Sequence, residues 1–287
     1  MDKLNSDLKA TVGISHLSAK SKQSGIQTIT AVIPAKDEEK NIARCIESVK
    51  WCDKIIILWM GSDQTGKIAK SLGAEVIRKN ASEKDDFKAV QKNINRAIDN
   101  CTTDWILRVD ADEVVSEELK NEIISILNSK FIIHNSTIAY GIPRKPYFLG
   151  AFLKGGDWAY DRLVRLFKAK SARYDPIVEV HEQFKVEGKI GYLQNSILHY
   201  SHPTLKDVFR KFNSYTDVQI HDLNESLPTA FFKILTQPPY IFLRWTIWHL
   251  GIRDGWRGIL SGLLRAWYEF ILYKKYIAYQ LHLSPRE

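Results

Sequence analysis

Trp105-Ile-Leu-Arg-Val109 is an apolar run that ends abruptly in Asp110-Ala111-Asp112-Glu113. Such a run reads as a strand buried on both faces, with its carboxylates marking the point where the chain leaves the sheet. Upstream the same pattern repeats: Thr28–Pro34 (TITAVIP), Lys54–Met60 (KIIILWM) and Glu75–Arg78 (EVIR) are short β-branched or aliphatic runs, each followed by a helical stretch. The first helix is expected to start on Asp37 as N-cap, with Glu38 and Glu39 in its first turn, and to reach about Val49. The second spans Gly66–Leu72 and closes on Gly73, where a C-cap glycine belongs, and a third lies around Phe87–Asn100. Strands alternating with helices at this spacing predict an α/β fold with a doubly wound sheet. Ligands bind such sheets at the carboxyl ends of the strands, where Asp37, Gly61–Asp63 and Asp110–Asp112 all fall.

From about Ser129 to His202 the pattern changes to short strands and loops marked by Gly and Pro, and after Leu205 the chain turns helical and aromatic. With 45% hydrophobic and 26% charged residues over 287 positions, the chain is globular, which excludes a disordered tail, a fibrous repeat and a small disulfide scaffold. Cys45, Cys52 and Cys101 show neither a C-x-x-C pair nor a Cys/His cluster at zinc spacing, so they read as reduced thiols of a cytosolic protein. Residues 1–26 lack the apolar core of a secretory signal and read as a mobile extension, and the absence of about 18 uninterrupted apolar residues argues against a spanning helix.

Lys plus Arg exceed Asp plus Glu by 41 to 33, a net +8 that suits nucleic acid, nucleotide or acidic lipid equally. Residues 228–287 carry 13 of the 32 aromatic side chains and +5 of that charge, which moves the question to the C-terminus. There Trp256, Leu260, Leu263, Leu264, Trp267, Phe270 and Ile271 recur at helical spacing, while Arg257, Ser261, Arg265 and Glu269 lie four apart on another face. Aromatic side chains sharing a stripe with Leu and Ile favour docking on a membrane surface or packing on the protein's own core over stacking on nucleic acid. Pro238-Pro239 is expected to separate two helices and let the tail fold back.

Two carboxylates spaced as Asp110-x-Asp112 at a strand-to-loop bend can converge on one hard cation, Mg²⁺ or Mn²⁺, with positions left open for a substrate diphosphate. The bland alternative is a solvated turn that caps the helix after Val115. Gly61-Ser-Asp-Gln-Thr-Gly66-Lys67-Ile68 imitates a phosphate-binding P-loop, but Ile68 has no hydroxyl for Mg²⁺, and the loop follows the second strand rather than the first.

Four segments, TITAVIPAKDEEKNI from residue 28, GSDQTGKIA from 61, QKNINRAI from 91 and DWILRVDADEVVSEEL from 104, together resemble the inverting family 2 glycosyltransferases of GT-A fold. IPRKPYFLGAFLKGGDW from residue 142, RLVRLF at Arg162–Phe167, VEVHEQ at Val178–Gln183, LHYSH at Leu198–His202 and RDGWRG at Arg253–Gly258 are similar to the lipopolysaccharide-core β-1,4-glucosyltransferase subgroup. The resemblance spans roughly residues 28–280. It implies a GT-A catalytic domain at 27–204, with a nucleotide-sugar half at 27–128 and an acceptor half at 129–204, followed by a basic aromatic helical segment at 205–287.

It further implies transfer of a sugar, a hexose such as glucose, from a UDP-linked donor to a glycolipid or lipopolysaccharide-core acceptor. The enzyme would be cytoplasmic and peripheral on the inner-membrane surface, with no nucleic-acid partner. Asp112 would hold the metal and Asp110 the ribose or the metal shell, while Pro34, Ala35, Asp37, Gln91, Lys92 and Asn93 would line the nucleotide pocket. Lys92 has the charge for a diphosphate, although a solvated helix lysine reads equally well. Arg162 or Arg165 would touch the diphosphate, and His181 would be a metal or diphosphate ligand or a structural histidine.

Inversion needs one general base, for which Glu182 is the first candidate and Asp157 the second, ahead of Asp161 and Glu179. One departure stands out: where the subgroup carries an aspartate that reads the uracil ring, this chain has Leu58, followed by Trp59 and Met60. An aliphatic side chain accepts no hydrogen bond, so either Trp59 stacks on the base, or the nucleotide differs, or the domain is a silent scaffold.

Overall fold

The computed structural model describes residues 27–78, 87–128, 137–157, 162–174, 184–202 and 204–283. The extension expected at 1–26 lies outside them. The chain divides into two compact units, one running to Pro143 and including Arg162–Ile197, the other formed by Arg144–Asp161 and Leu198–Glu287.

In the first unit β1 (Ile29–Ala35), β2 (Lys54–Trp59), β3 (Glu75–Arg78) and β4 (Trp105–Arg108) alternate with α1 (Ile42–Ser48), α2 (Thr65–Ser71) and α3 (Phe87–Asp99), as expected. After β4 come β5 (Glu113–Val115), α4 (Glu117–Asn128), β6 (Thr137–Phe148), β7 (Ala151–Phe152), β8 (Arg162–Lys168), β9 (Ala172–Tyr174), β10 (Phe184–Val186), β11 (Lys189–Tyr192) and β12 (Ile197–His202). The sheet order β3-β2-β1-β4-β8-β6 is parallel through β4 and turns antiparallel at β8, where Leu107 pairs with Leu166. This is a doubly wound mixed sheet, with the alternating half arranged as the sequence predicts.

Strand alternation sorts the core to two faces. Ile33, Ile57, Trp105 and Leu107 pack with Ile42, Ile46 and Ile123 on one side. On the other, Val32, Ile56, Leu58 and Ile106 pack with Ile94 and Ile98 of α3. Gly73 takes the left-handed backbone (φ 86°) that a side chain would resist, which ends α2 as expected.

The first helix does not start on Asp37. Its N-cap is Asn41, and Asp37 itself adopts φ 55°, turning the chain out of helix register while its carboxylate accepts the Ser62 N–H at 2.9 Å.

The three cysteines are buried and unbridged. Burial, more than any neighbouring charge, pushes each thiol pKa up. The nucleophile is the thiolate, so raised values leave less of it at neutral pH. The native protein is therefore expected to resist a chromogenic disulfide reagent and to react in full only in denaturant. Rapid labelling of any native thiol would contradict this burial.

In the second unit α5 (Leu205–Gln219), α6 (Leu227–Leu243), a π-helical turn (Arg244–Trp248), a short 3₁₀ turn (Gly251–Asp254) and α7 (Trp256–Leu283) follow one another. Pro238 and Pro239 lie inside α6 rather than between two helices. The helix survives the lost donors because α7 grips it at both ends. Ala230 clusters with Tyr273, Tyr276 and Ile277, and Gly262 sits so close to Phe242, Trp245 and Thr246 that any Cβ would crowd them. Tertiary packing outweighs the local preference.

Candidate active site

Arg108 and Asp110 stand two residues apart at the end of β4, so their side chains leave the same side of the extended backbone. Arg108 Nη2 lies 2.9 Å from Asp110 Oδ1, and its Nη1 donates to Oδ2 at 3.3 Å. The antiparallel pairing of β8 with β4 then brings in Arg165, whose Nη2 donates to Asp110 Oδ2 at 2.7 Å and reaches Glu113 Oε1 at 3.5 Å. Glu113 closes the turn by accepting the Asp110 N–H at 2.8 Å. Arg165 is 2% exposed and Glu113 0%, so this is a buried ion network beneath a strand-end turn. Arg165 Nε and Nη1 find no acceptor among the described residues, which leaves two buried donors able to take an oxygen ligand or a water.

Cys45 reports the field under this turn. Its thiol donates to the Asp110 carbonyl at 3.4 Å, and its pKa is pushed well up, first by burial and then by the charges of Glu113, Asp110 and Asp112. The turn is locally acidic despite its two arginines. Among the described residues no three His, Cys, Asp or Glu side chains form a closed metal cage. Two carboxylates on one turn instead fit Mg²⁺ or Mn²⁺ of the kind that fills its remaining positions with phosphate oxygens and water. Asp110 already spends both oxygens on guanidiniums, so half-buried Asp112 is the residue that could hold such an ion directly.

The loops after β1 and β2 are laced together at the same edge of the sheet. Besides the Asp37–Ser62 bond, the Glu38 N–H donates to Thr65 Oγ1 at 2.9 Å and the Glu39 N–H to Asp63 Oδ2 at 3.0 Å. Burial nudges the Asp63 carboxyl upward, but its hydrogen bonds with Thr65 and Glu39 outweigh that and hold it below its usual value. Pro34 and Ala35 are buried within β1, where they support this edge, while Asp37 is exposed.

On α3, Gln91 and Asn93 are buried and Lys92 is exposed. Asn93 helps line a groove of about 280 Å³ whose other walls are Leu58, Met60, Ile77, Arg78, Arg96, Ala97 and Asn100. Leu58, the residue standing where the subgroup has an aspartate, forms part of this apolar wall. Trp59 points to the other face of β2: a Cβ on Gly66 would lie 2.5 Å from its ring, and the Arg78 guanidinium sits 4.7 Å above it. Its ring is thus already in close contact with α2 and with a cation.

Of the proposed bases, Asp157 belongs to the second unit, where its carboxylate pairs with Arg244 and with His249 Nδ1. The hydrogen bond to Asp157 is the main reason that the Arg244 pKa rises above its ordinary value. The glycines before Asp157 are fixed in that unit too: Asp254 accepts the N–H groups of Lys154 and Gly155, and Gly156 (φ 81°) lies against the Trp245 ring. Glu182 and His181, like Asp161 and Glu179, lie outside the described residues. Arg108 and Glu113 are members of the network that motif reasoning passed over. Their i, i+2 and i, i+3 spacing from Asp110 was the available signal.

The model of glycosyl transferase family 2 matches residues 30–171. LpsC of Rhizobium meliloti (strain 1021), a lipopolysaccharide core biosynthesis glycosyltransferase, is 29% identical over 243 residues, covering 83% of this chain and 86% of its own. A glycosyltransferase of Rickettsia typhi (strain ATCC VR-144 / Wilmington) is 29% identical over 260 residues, covering 86% and 85%. The solved structure of S. aureus TarS 1-349 covers 90% of this chain and 93% of its own at 13% identity, with a TM-score of 0.40. Since the match takes in the strands from β1 to β8, and relatives extend the likeness over most of the length, residues 30–171 are a glycosyl transferase family 2 domain and the chain is a glycosyltransferase similar to that of the lipopolysaccharide core.

Proposed function

We propose that the protein moves a sugar, a hexose such as glucose, from a UDP-linked or related nucleotide donor to a lipopolysaccharide-core or similar glycolipid acceptor, with inversion and with help from Mg²⁺ or Mn²⁺. The carrying observation is the Arg108–Asp110–Arg165–Glu113 network, which fixes the Asp112 turn at the ligand-binding edge of the sheet. The likeness to LpsC supports the acceptor class.

In this reading Asp112 would hold the cation, which would supply positive charge to the leaving diphosphate. Arg165 and Arg108 fix Asp110 so that the turn keeps one shape, and the unsatisfied Arg165 donors point to an oxygen ligand or water within the network. The groove walled by Leu58, Ile77 and Met60 and edged by Asn93, Arg96 and Asn100 suits a base held by apolar contact and amide hydrogen bonds. It replaces the missing aspartate without calling on Trp59.

As the bond from anomeric carbon to diphosphate oxygen breaks, the acceptor oxygen bonds to the opposite face, and its proton passes to a carboxylate, for which Glu182 is the candidate. The test is a donor screen by nucleotide release on the purified protein, with and without Mn²⁺. Mn²⁺-dependent release from one nucleotide-sugar is expected. Failure of calorimetry to detect UDP, GDP or any other nucleoside diphosphate would overturn the reading.

A further inference from the structure

α7 buries apolar residues, Leu264, Leu272, Tyr273 and Tyr276 among them, but it also turns a polar line inward and an apolar line outward. Its polar line, Ser261, Arg265 and Glu269, faces protein. Ser261 is 1% exposed and accepts the Trp245 indole N–H at 2.9 Å, while Arg265 and Glu269 pair at 2.7 Å with both side chains mostly covered. The opposite line, Trp256, Ile259, Leu263 and Trp267, keeps helical spacing for three turns and is exposed throughout. α6 repeats the feature with Phe232, Leu235 and Leu243.

The two helices are antiparallel, because α7 residues near its C-terminus pack on the start of α6 and Gly262 packs on the end of α6. Their connection therefore forms a tip, and Ile247, Trp248 (70% exposed) and Ile252 stand out on it. Monomeric proteins rarely leave so much contiguous apolar surface in water.

The geometry points to a helical hairpin that inserts its tip and outer faces into the interfacial layer of an anionic lipid bilayer. Trp248, Trp256, Trp267 and Tyr240 are the residue types that settle at headgroup depth, apolar in body and polar at one edge. Cations flank them: Arg253 and Lys274 are exposed, and the Arg257 guanidinium lies 4.6 Å from the Trp256 ring. These three cations match anionic headgroups and oppose a second, equally charged copy on the same face, whereas Lys233, Arg244 and Lys275 of the same stretch pair with carboxylates. Among the described residues no helix is long and apolar enough to cross a membrane, so the hairpin lies along the surface. The inference deepens the proposed lipid-linked acceptor, yet it rests on the hairpin geometry alone.

The experiment is flotation of the full-length protein, without substrates, on vesicles of phosphatidylethanolamine containing about a quarter phosphatidylglycerol. Wild type is expected to float and to show tryptophan quenching by brominated lipid. Trp248→Glu with Ile252→Glu is expected to float at least about tenfold less with an unchanged circular dichroism spectrum. Trp248→Ser with Trp256→Ser, which adds no charge, should lose most of the quenching. A wild type that stays in solution, or variants that float like it, would overturn the inference. So would a wild-type dimer that the glutamate variant splits, because a second copy would then cover the face. Nucleotide release measured on the same variants with a soluble donor is expected to persist, which keeps this outcome separate from failure of the transferase reading.

Discussion

Asp112→Ala is expected to lower sugar transfer by about a thousandfold or more while changing folding stability by less than about 1 kcal/mol. A thousandfold corresponds to about 4 kcal/mol of transition-state stabilisation, the scale expected when a cation opposite a departing diphosphate is lost. Stability should hold because Asp112 sits half-buried on the turn, where its carboxylate is less desolvated than that of fully buried Glu113. Asp110→Ala is a poorer probe of the same chemistry, since it releases two guanidiniums at once and disturbs the turn that presents Asp112. Two readouts decide the matter: Mn²⁺-dependent nucleotide release, and calorimetric binding of UDP in the presence and absence of Mn²⁺. If Asp112→Ala turns over like wild type, the cation is not held there.

The alternating half of the fold was legible because each strand carries its own signal. TITAVIP, KIIILWM and WILRV are apolar enough to be buried on both faces, and the helices between them are short enough to leave one topology. The placement of Asp110 just past the carboxyl end of β4 followed from that. What surrounds Asp110 did not follow, because β8 pairs with β4 across a long separation in sequence, and nothing local in RLVRLF says which carboxylate Arg165 will meet. The C-terminal helix shows a different limit. Periodicity located its two stripes but left their burial open, and the structure splits the apolar one: Leu264 and Leu260 pack inward while Trp256, Leu263 and Trp267 are exposed, and the polar line is drawn inward by Trp245 and by the close approach of α6 at Gly262. Asp37 and the paired prolines were misread for a related reason: Ser62 and α7, distant in sequence, outweighed a capping preference and a helix-breaking preference.

Arg165→Met is expected to cost about 3–5 kcal/mol of folding stability, read as a lower urea midpoint with an unchanged slope. The methionine keeps much of the arginine stem's volume, so little of the loss would be a cavity. The loss comes from the charges left behind. Glu113 is fully buried and still accepts the Asp110 N–H, while Asp110 keeps Arg108. Removing the guanidinium takes the opposite charge away from a carboxylate in a low-dielectric site, and this penalty exceeds what the intact pair contributes. The double variant Arg165→Met with Glu113→Gln should therefore recover part of the loss, because an amide can still accept the Asp110 N–H without a buried charge. Arg165→Lys restores the charge but not the fork that spans Asp110 and Glu113, and its stability should fall between wild type and Arg165→Met. A loss below about 1 kcal/mol for Arg165→Met, with no coupling to Glu113, would mean that water already compensates Glu113. Buried Arg165 would then act chiefly on whatever oxygen its two unsatisfied donors meet.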